Sequence, residues 1–388
     1  MLPTSRKISF ITTTPFLAGD VERFSLDELI DMGYDLSFVD ATPALEPKMD
    51  AGVTAPRISE RGLKYYPMRT PGELRDYIGS HREHYFFLMF DRYYEVRKVY
   101  DYLTEFDCDY GNANCALTDN MISAFAYRKG IASFNFERLA PRYWKRIIYN
   151  RLIRKRKAYK PANFVLIGGT NGEDAIWENC ATKEGVTKGI RIRSYDYERF
   201  LRAETFDNGG RPYALFLDQY IPFHPDKELH YDIPEPDIYF KELHDILDEI
   251  RDRYGLEILV APHPRGDYRD KEHYWKGCRL IYGKSAELAK GASLVLGHYS
   301  NALSFAVMAD VPSLLLHIPC VAAVDYMNGF DIGYRELLGA PFITCGADLH
   351  KTNDYTQNRE KYEKFRSLYT ESAPYNGKSF WQTAVEEI

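Results

Sequence analysis

The sequence predicts an α/β protein of two domains, each with a parallel sheet between layers of helices. Short apolar runs that are typical of buried strands alternate with helical patterns along most of the chain. This alternation is interrupted by a polar stretch with paired glycines over 203–212, which is typical of a linker. The length of 388 residues also fits two domains of ordinary size.

The first domain is expected over residues 1–205, with short apolar runs as its strands. The serine and the glutamate of SLDE, at Ser25–Glu28, have the spacing of a capping box, so a helix is expected to begin there. The predicted strands of this domain are Lys7–Thr13, Tyr85–Phe90 and Phe164–Ile167.

The second domain is expected over residues 212–350, where strands and helices alternate more regularly. A charged segment with spaced aromatic residues follows over 354–388 and is expected to form C-terminal helices. The predicted strands are Tyr213–Leu217, Glu257–Ala261, Leu280–Ile281, Ser293–Gly297 and Ser313–His317, and the predicted helices are Asp237–Tyr254, Ser285–Lys290 and Ala302–Ala309.

Composition limits the classes of function. A net charge of -6 and a pI near 6.0 argue against general nucleic-acid binding, so an anionic ligand has to be held by a local group of side chains. The six cysteines are widely spaced and match neither a zinc site nor a disulfide framework. No apolar stretch has the length of a signal-peptide core or of a membrane span, so a cytoplasmic location is expected.

One segment carries a local excess of positive charge. Residues 142–160 contain nine Lys or Arg and no acidic residue, interleaved with aromatic and aliphatic side chains. At helical spacing this gives an apolar stripe beside a cationic face, which is typical of a helix that adsorbs to an anionic lipid surface. A helix packed on its own domain with a solvated basic side would show the same pattern. The sequence leaves both interpretations open.

Polar residues directly after the predicted strands are the candidates for a ligand site, because ligands bind beyond the carboxyl ends of parallel strands. The second domain has four such places. The candidates are Asp218 after the first strand, His263, Pro264 and Arg265 after the second, Lys284 and Glu287 at the start of a helix, and His298, Ser300 and Asn301 after the strand that ends at Gly297.

These residue types together can bind a phosphate group. A helix that begins near Ser300 would present free backbone N–H groups. His263 can donate a proton and Arg265 offers a cationic fork, so the two could neutralise a departing phosphate without a metal ion. Each residue alone also has an ordinary structural explanation, as a helix cap, a loop hydrogen bond or a surface ion pair. Their expected position on adjacent strand ends favours a shared site.

The order of these motifs resembles a known family. A strand that ends in His263-Pro264, a later strand that leads to Ser300, and the run VPSLLL over 311–316 are similar to the donor domain of bacterial capsule and lipopolysaccharide glycosyltransferases of the GT-B type. Among these, the sialyltransferases, polysialyltransferases and Kdo transferases carry a His-Pro motif and a Ser-Ser or Ser-Thr motif that contact a cytidine nucleotide. On that resemblance His263 and Pro264 match the first motif and Ser300 matches the second, whereas Asn301 departs from it.

The resemblance implies two Rossmann-like domains that face a cleft, and an enzyme that needs neither a metal ion nor another cofactor. The implied reaction transfers a sugar, such as sialic acid or Kdo, from a nucleotide-sugar to an oligosaccharide or lipid-linked glycan of the bacterial surface. CMP is the favoured nucleotide, with UDP and GDP as alternatives. The implied location is the cytoplasm, with contact to the inner face of the cell membrane.

The catalytic base of that family lies in an acidic D/E-D/E-G motif that this sequence lacks. Asp119 and Asp218 are the candidate bases, and a turn residue is the alternative for Asp218. Two other functions stay open. A CDP-glycerol type glycerophosphotransferase would use histidines and a serine-rich motif in a similar donor domain. A non-catalytic protein that binds nucleotides or sugars would account for the missing acidic motif.

Overall fold

The computed structural model describes residues 6–17, 19–47, 63–113, 144–145, 148–149, 158–169, 180–224, 233–351, 356–370 and 377–388. These residues form two compact units. The first unit contains the described residues up to Tyr195 and those from 377 to Ile388, and the second contains those from Asp196 to Thr370.

The first unit has a parallel sheet of seven strands in the order β3-β2-β1-β4-β5-β6-β7. The chain adds strands on one side of β1 and then on the other, which is the doubly wound Rossmann arrangement. Its inner strands are buried on both faces, as parallel sheets between helices require. The strands are β1 Lys7–Thr12, β2 Asp35–Asp40, β3 Lys64–Pro67, β4 Tyr85–Leu88, β5 Tyr110–Asn112, β6 Phe164–Ile167 and β7 Lys188–Arg191.

The helices of the first unit cover both faces of this sheet, and one helix start differs from the prediction. Ser25 precedes the helix Leu26–Asp31, but its backbone is left-handed, with φ 52°, and its side chain makes no capping hydrogen bond. A serine caps a helix from the extended region, so the helix begins where expected but the predicted capping box was wrong. The helices are Asp20–Arg23, Leu26–Asp31, Thr42–Leu45, Pro71–Ser80, Arg97–Glu105 and Phe380–Glu387.

The C-terminal helix Phe380–Glu387 belongs to the first unit. Trp381 is fully buried there, with its ring 5.8 Å from those of both Phe10 and Phe87, and its Nε1 donates a hydrogen bond to the Phe24 carbonyl at 2.7 Å. The preceding helix, Arg359–Phe365, belongs to the second unit. The segment expected as one C-terminal element over 354–388 is therefore divided, because its aromatic side chains are buried in two separate cores.

The second unit has a parallel sheet of six strands in the order β10-β9-β8-β11-β12-β13, again doubly wound. The strands predicted from sequence are present, and the two-residue strand β13 was not predicted. The strands are β8 Tyr213–Leu217, β9 Glu257–Ala261, β10 Arg279–Leu280, β11 Leu294–Gly297, β12 Ser313–Leu316 and β13 Phe342–Ile343.

The helices of the second unit include the long helix Pro236–Tyr254, which packs six buried side chains against the sheet. The α-helices are Tyr195–Arg202, which begins where the first unit ends, Pro236–Tyr254, Ser285–Gly291, Leu303–Met308, Pro319–Ala322, Asp325–Leu338 and Arg359–Phe365. Three 3₁₀ segments lie at Ile221–Phe223, Glu272–Trp275 and Gly346–His350, and a π-helical turn lies at Arg366–Thr370.

The basic segment 142–160 falls largely outside the described residues. Of its apolar stripe, three residues are described: Trp144 and Ile148 are exposed, and Tyr149 is buried. The membrane contact of this segment stays a prediction. Within the described part of the chain, no helix is both long enough and apolar enough to cross a bilayer.

Candidate functional site

The carboxyl ends of β8, β9 and β11 meet at one place in the second unit. β8 pairs with β9 on one side and with β11 on the other, which puts Leu217 opposite both Ala261 and Gly297. The winding direction reverses between β8 and β11, so the helices on the two sides diverge there, and ligands of such sheets bind at that point. The residues that follow the sheet here are Asp218, Pro262 with His263, and His298.

Asp218 is a buried carboxylate that holds this strand end together. One oxygen accepts the Tyr220 N–H at 2.9 Å, the other accepts the His263 N–H at 3.2 Å, and the Tyr268 hydroxyl donates to both at 3.1 and 3.0 Å. Burial raises the pKa of Asp218 to about 6, although these hydrogen bonds favour the ionised form. The carboxylate therefore fixes the backbone that carries His263.

His263 is half-buried and has a defined ring orientation. Its Nδ1 accepts the backbone N–H of Arg265 at 3.2 Å, so in the neutral ring the proton is on Nε2. The His263 carbonyl accepts the Gly266 N–H at 2.7 Å, which closes a tight turn. A Cβ at Gly266 would lie 3.0 Å from that carbonyl oxygen and 3.2 Å from the Tyr220 ring. The backbone thus presents the Nε2–H donor in a fixed place, and Arg265 follows in the same turn.

His224 is a second imidazole at this place; the sequence has it six residues after Asp218, at the same strand end, but it was given no role in the predicted site. It follows the short 3₁₀ segment after β8, and its ring lies 5.1 Å from the His263 ring at an interplanar angle of 70°. The sequence signal was a second His-Pro pair at 224–225. The structure therefore brings Asp218, His224, His263 and Arg265 together at the ends of β8 and β9.

His298 is fully buried and differs from the ligand-facing position that the sequence suggested. Its Nδ1 donates to the Leu316 carbonyl at 2.5 Å, and its Nε2 accepts from the Tyr239 hydroxyl at 3.1 Å. Burial lowers the pKa of His298 to about 4. Both ring nitrogens are used to join β11 to β12 and to the helix Pro236–Tyr254, so the side chain is part of the core.

The buried His298 predicts a pH dependence of stability. Its folded pKa of about 4 lies below the ordinary value of 6.5, so the unfolded chain binds the proton more readily, and the stability present above pH 6.5 is lost as the pH falls. Between pH 6.5 and 5 we expect the free energy of unfolding of His298→Gln to fall by roughly 2 kcal/mol less than that of the parent. Urea unfolding at both pH values measures this difference. An equal fall in the free energy of unfolding for the variant and the parent would contradict the prediction.

Ser300 and Asn301 lie in the turn between β11 and the helix Leu303–Met308. The Ser300 hydroxyl accepts the Ala302 N–H at 3.2 Å, so it caps the turn and not the helix itself. The amide oxygen of Asn301 accepts the Tyr334 hydroxyl at 3.0 Å. This turn is two strands from His263, which is about 10 Å at the usual strand spacing.

The remaining predicted residues are more scattered. Lys284 is exposed and precedes the helix Ser285–Gly291, which follows the edge strand β10, and Glu287 in that helix has one buried oxygen without a hydrogen-bond partner among the described residues. Pro264 is exposed in the His263 turn. Asp119 lies outside the described residues. Among the residues that are described, no three His, Cys, Asp or Glu side chains are grouped as metal ligands would be.

Comparisons by sequence give no relatives: no protein-family model and no curated protein matches this chain. Solved structures match it by fold. A histidine-to-alanine variant of the wall teichoic acid polymerase TagF has a TM-score of 0.54 and 11% identity over 99% of this chain and 88% of its own. A histidine variant of TagF with CDPG has a TM-score of 0.51 and 12% identity over 100% and 88%.

MnaA of S. aureus, in a structure with UDP, has a TM-score of 0.50 and 11% identity over 94% of this chain and 91% of its own. At such identities these similarities concern the fold. Together with the two doubly wound parallel sheets, they show that the chain has the GT-B fold that the sequence predicted.

Proposed function

We propose that this protein is a metal-independent glycosyltransferase whose nucleotide-sugar donor binds at the carboxyl edge of the second unit's sheet. The observation that carries the proposal is the His263 turn after β9, which is held by Asp218 at the end of β8, the strand beside which the sheet's winding reverses. His263 and Arg265 lie in one short turn, and an imidazole N–H and a guanidinium both suit a phosphate group.

The proposed reaction moves a sugar from the donor to an acceptor hydroxyl. The bond between the anomeric carbon and the donor phosphate oxygen breaks, and its electron pair stays on that oxygen. A bond forms from the same carbon to the acceptor oxygen, whose proton passes to a base. His263 donates a hydrogen bond to the departing phosphate, and Arg265 neutralises its charge. The buried Asp218 carboxylate acts by positioning the His263 turn, and Asp119 is the proposed base.

The donor and acceptor follow from the resemblance of the His263-Pro264 and Ser300 motifs. A CMP-sugar is the proposed donor, with a nonulosonic acid such as sialic acid or Kdo as the sugar. The proposed acceptor is an oligosaccharide or a lipid-linked glycan of a bacterial surface polysaccharide. The basic residues of 142–160, apart from Lys160, which pairs with Asp107 and Asp109, would hold the protein at an anionic membrane surface where such acceptors are assembled.

A second candidate function is favoured by the adjacent imidazoles of His224 and His263, whose centroids are 5.1 Å apart. In transfer of a phosphorylated polyol from a CDP-linked donor, an acceptor hydroxyl attacks the phosphorus and CMP leaves. One imidazole would remove the hydroxyl proton and the other would protonate CMP. TagF, in the structure with CDPG, has the same fold.

Nucleotide binding is the first prediction of this proposal. A nucleotide that binds only the folded protein should raise Tm by roughly 5 °C when present at about 100 times its Kd. The panel is CMP, CDP, UMP, UDP, GDP and dTDP, read by thermal unfolding. We expect CMP to give the largest shift for a CMP-sugar enzyme and CDP for the second candidate.

A pair of arginine variants in the same loop controls for charge. Arg265→Gln should reduce the shift with the best nucleotide to less than half. Arg269→Gln makes the same charge change at a side chain that is 79% exposed and paired with Asp267, so it should leave the shift intact. If only UDP or GDP raised Tm, the proposed donor would become a UDP-sugar or a GDP-sugar and the proposed glycosyltransferase activity would stand. If no nucleotide raised Tm, the proposed donor site would be overturned.

A further inference from the structure

His317 is a fixed imidazole at the carboxyl edge of the second sheet, on a strand that the proposed donor site does not use. It follows β12 directly, and its backbone N–H donates to the Ile343 carbonyl at 2.9 Å. Its ring lies flat on the Phe342 ring, with centroids 4.3 Å apart and an interplanar angle of 3°. The backbone and the aromatic neighbour together fix the orientation of this ring.

Asp331 is a buried carboxylate that faces the His317 ring. It lies in the helix Asp325–Leu338 with no exposed surface, and its Oδ2 is 3.1 Å from His317 Nδ1. Its other oxygen, also buried, has no hydrogen-bond partner among the described residues. A buried carboxylate is costly unless a positive charge or donors balance it. The His317 ring, with Nδ1 at 3.1 Å, is the group that faces this carboxylate.

The second nitrogen of the His317 ring is available to a ligand. Nδ1 is held by Asp331, the side chain is 19% exposed, and Nε2 makes no hydrogen bond to any residue that the structure describes. Because the Asp331 carboxylate takes the Nδ1 proton as its hydrogen bond, Nε2 donates to an anion only in the doubly protonated ring, whose charge the carboxylate also balances.

The guanidinium of Arg335 packs against the same aromatic ring as His317. This residue is one turn beyond Asp331 in the helix, it is exposed, and its guanidinium carbon lies 4.8 Å from the centroid of the Phe342 ring. Among the described side chains, no carboxylate lies within 4.0 Å of its nitrogens. Two groups that can carry positive charge, His317 and Arg335, are thus supported by one ring.

We propose that His317 and Arg335 form a second oxyanion site, for a phosphate group, in which Asp331 positions the His317 ring. The β12 strand is three strands from β9, about 14 Å at the usual spacing, so one phosphate cannot contact both His263 and His317. The group bound at His317 is therefore a separate phosphate, of the same ligand or of a second phosphorylated substrate. This inference goes beyond the proposed donor site and does not depend on the identity of a nucleotide.

Binding of inorganic phosphate to the full chain tests the inference, by calorimetric titration at constant ionic strength. A charge-assisted hydrogen bond contributes about 1.5–3 kcal/mol, so His317→Gln should raise the Kd for phosphate roughly tenfold or more. Arg335→Gln should raise it by about threefold to tenfold. Lys241→Gln removes one exposed charge elsewhere in this unit and should leave the Kd unchanged.

The titration separates this site from the proposed donor site. A His317-dependent affinity that His263→Gln leaves in place supports the second site, even if no nucleotide binds and the donor proposal fails. No binding of phosphate by the parent protein, or equal binding by the parent and by His317→Gln, would overturn the inference. If His317→Gln fails to fold because Asp331 loses its partner, the variant at the exposed Arg335 decides the question. A phosphate Kd of Arg335→Gln equal to that of Lys241→Gln would overturn the inference.

Asp331→Asn distinguishes a positioning role from simple packing. The substitution keeps the shape of the side chain and removes its charge, so the folded structure should persist by circular dichroism while phosphate binding weakens by about tenfold. An unchanged Kd in a folded Asp331→Asn protein would remove Asp331 from the proposed site.

Discussion

Asp218→Ala should lower the free energy of unfolding by about 4 kcal/mol, because it leaves several buried donors without an acceptor. The Tyr220 N–H, the His263 N–H and the Tyr268 hydroxyl all donate to this carboxylate, which is 4% exposed. Nucleotide binding should be lost with it, since the His263 turn is then no longer held. Urea unfolding and the nucleotide thermal shift measure the two effects.

The pH dependence of this effect has a definite sign. The folded pKa of Asp218 is about 6 and its ordinary value is 3.8, so the folded protein binds the proton more readily than the unfolded chain. The contribution of Asp218 to stability therefore falls as the pH rises from about 4 to about 6, by up to ~3 kcal/mol. Asp218→Asn lacks this titration, so it should cost less stability at pH 7 than at pH 4.

Asp267→Ala is the matched control for Asp218→Ala. Asp267 lies in the same loop, but its carboxylate is 28% exposed and pairs with the exposed Arg269. A surface pair of this kind contributes at most about 1 kcal/mol. If Asp218→Ala were no more destabilising than Asp267→Ala, the hydrogen bonds of Asp218 would not be what holds the His263 turn.

The strands of the second unit could be predicted because their local pattern and their tertiary environment agree. YALFL of β8 and EILVA of β9 are apolar runs between turns, and they are buried in the sheet as such runs require. The edge strands β7 and β13 could not be predicted in this way. In β7, KGIR, a single residue is buried, and β13 has only two residues. Each is a strand because its backbone pairs with a neighbouring strand, which the local sequence does not show.

The site residues show the same division. That His263 follows a strand is a local fact, and the sequence indicated it. The Asp218 carboxylate, which holds the His263 turn, is itself held by Tyr268, 50 residues away in the chain. His298 is enclosed through its hydrogen bond with Tyr239, which is 59 residues away. Strand ends that look alike in sequence therefore differ in exposure, because distant aromatic hydroxyls decide which polar side chain becomes part of the core.

His263→Gln should reduce the rate of transfer by about 10²- to 10⁴-fold, which is the usual contribution of a positioned proton donor. The proposed role of His263 is on the leaving phosphate, so kcat should fall much more than nucleotide affinity, and the thermal shift with the nucleotide should persist. The measurement is the initial rate of nucleotide release from the donor whose nucleotide stabilises the protein most. His273→Gln, at an exposed histidine of the same unit, should keep the parent rate.

His224→Gln then discriminates between the two proposed reactions. In a glycosyltransferase His224 moves no proton and packs against the His263 ring, at 5.1 Å, so its loss should reduce kcat by about tenfold. In transfer of a phosphorylated polyol both imidazoles move protons, so either substitution alone should reduce kcat by roughly 10²-fold or more. A His263→Gln enzyme within threefold of the parent would exclude both assignments, because the departing phosphate would then be stabilised by other residues.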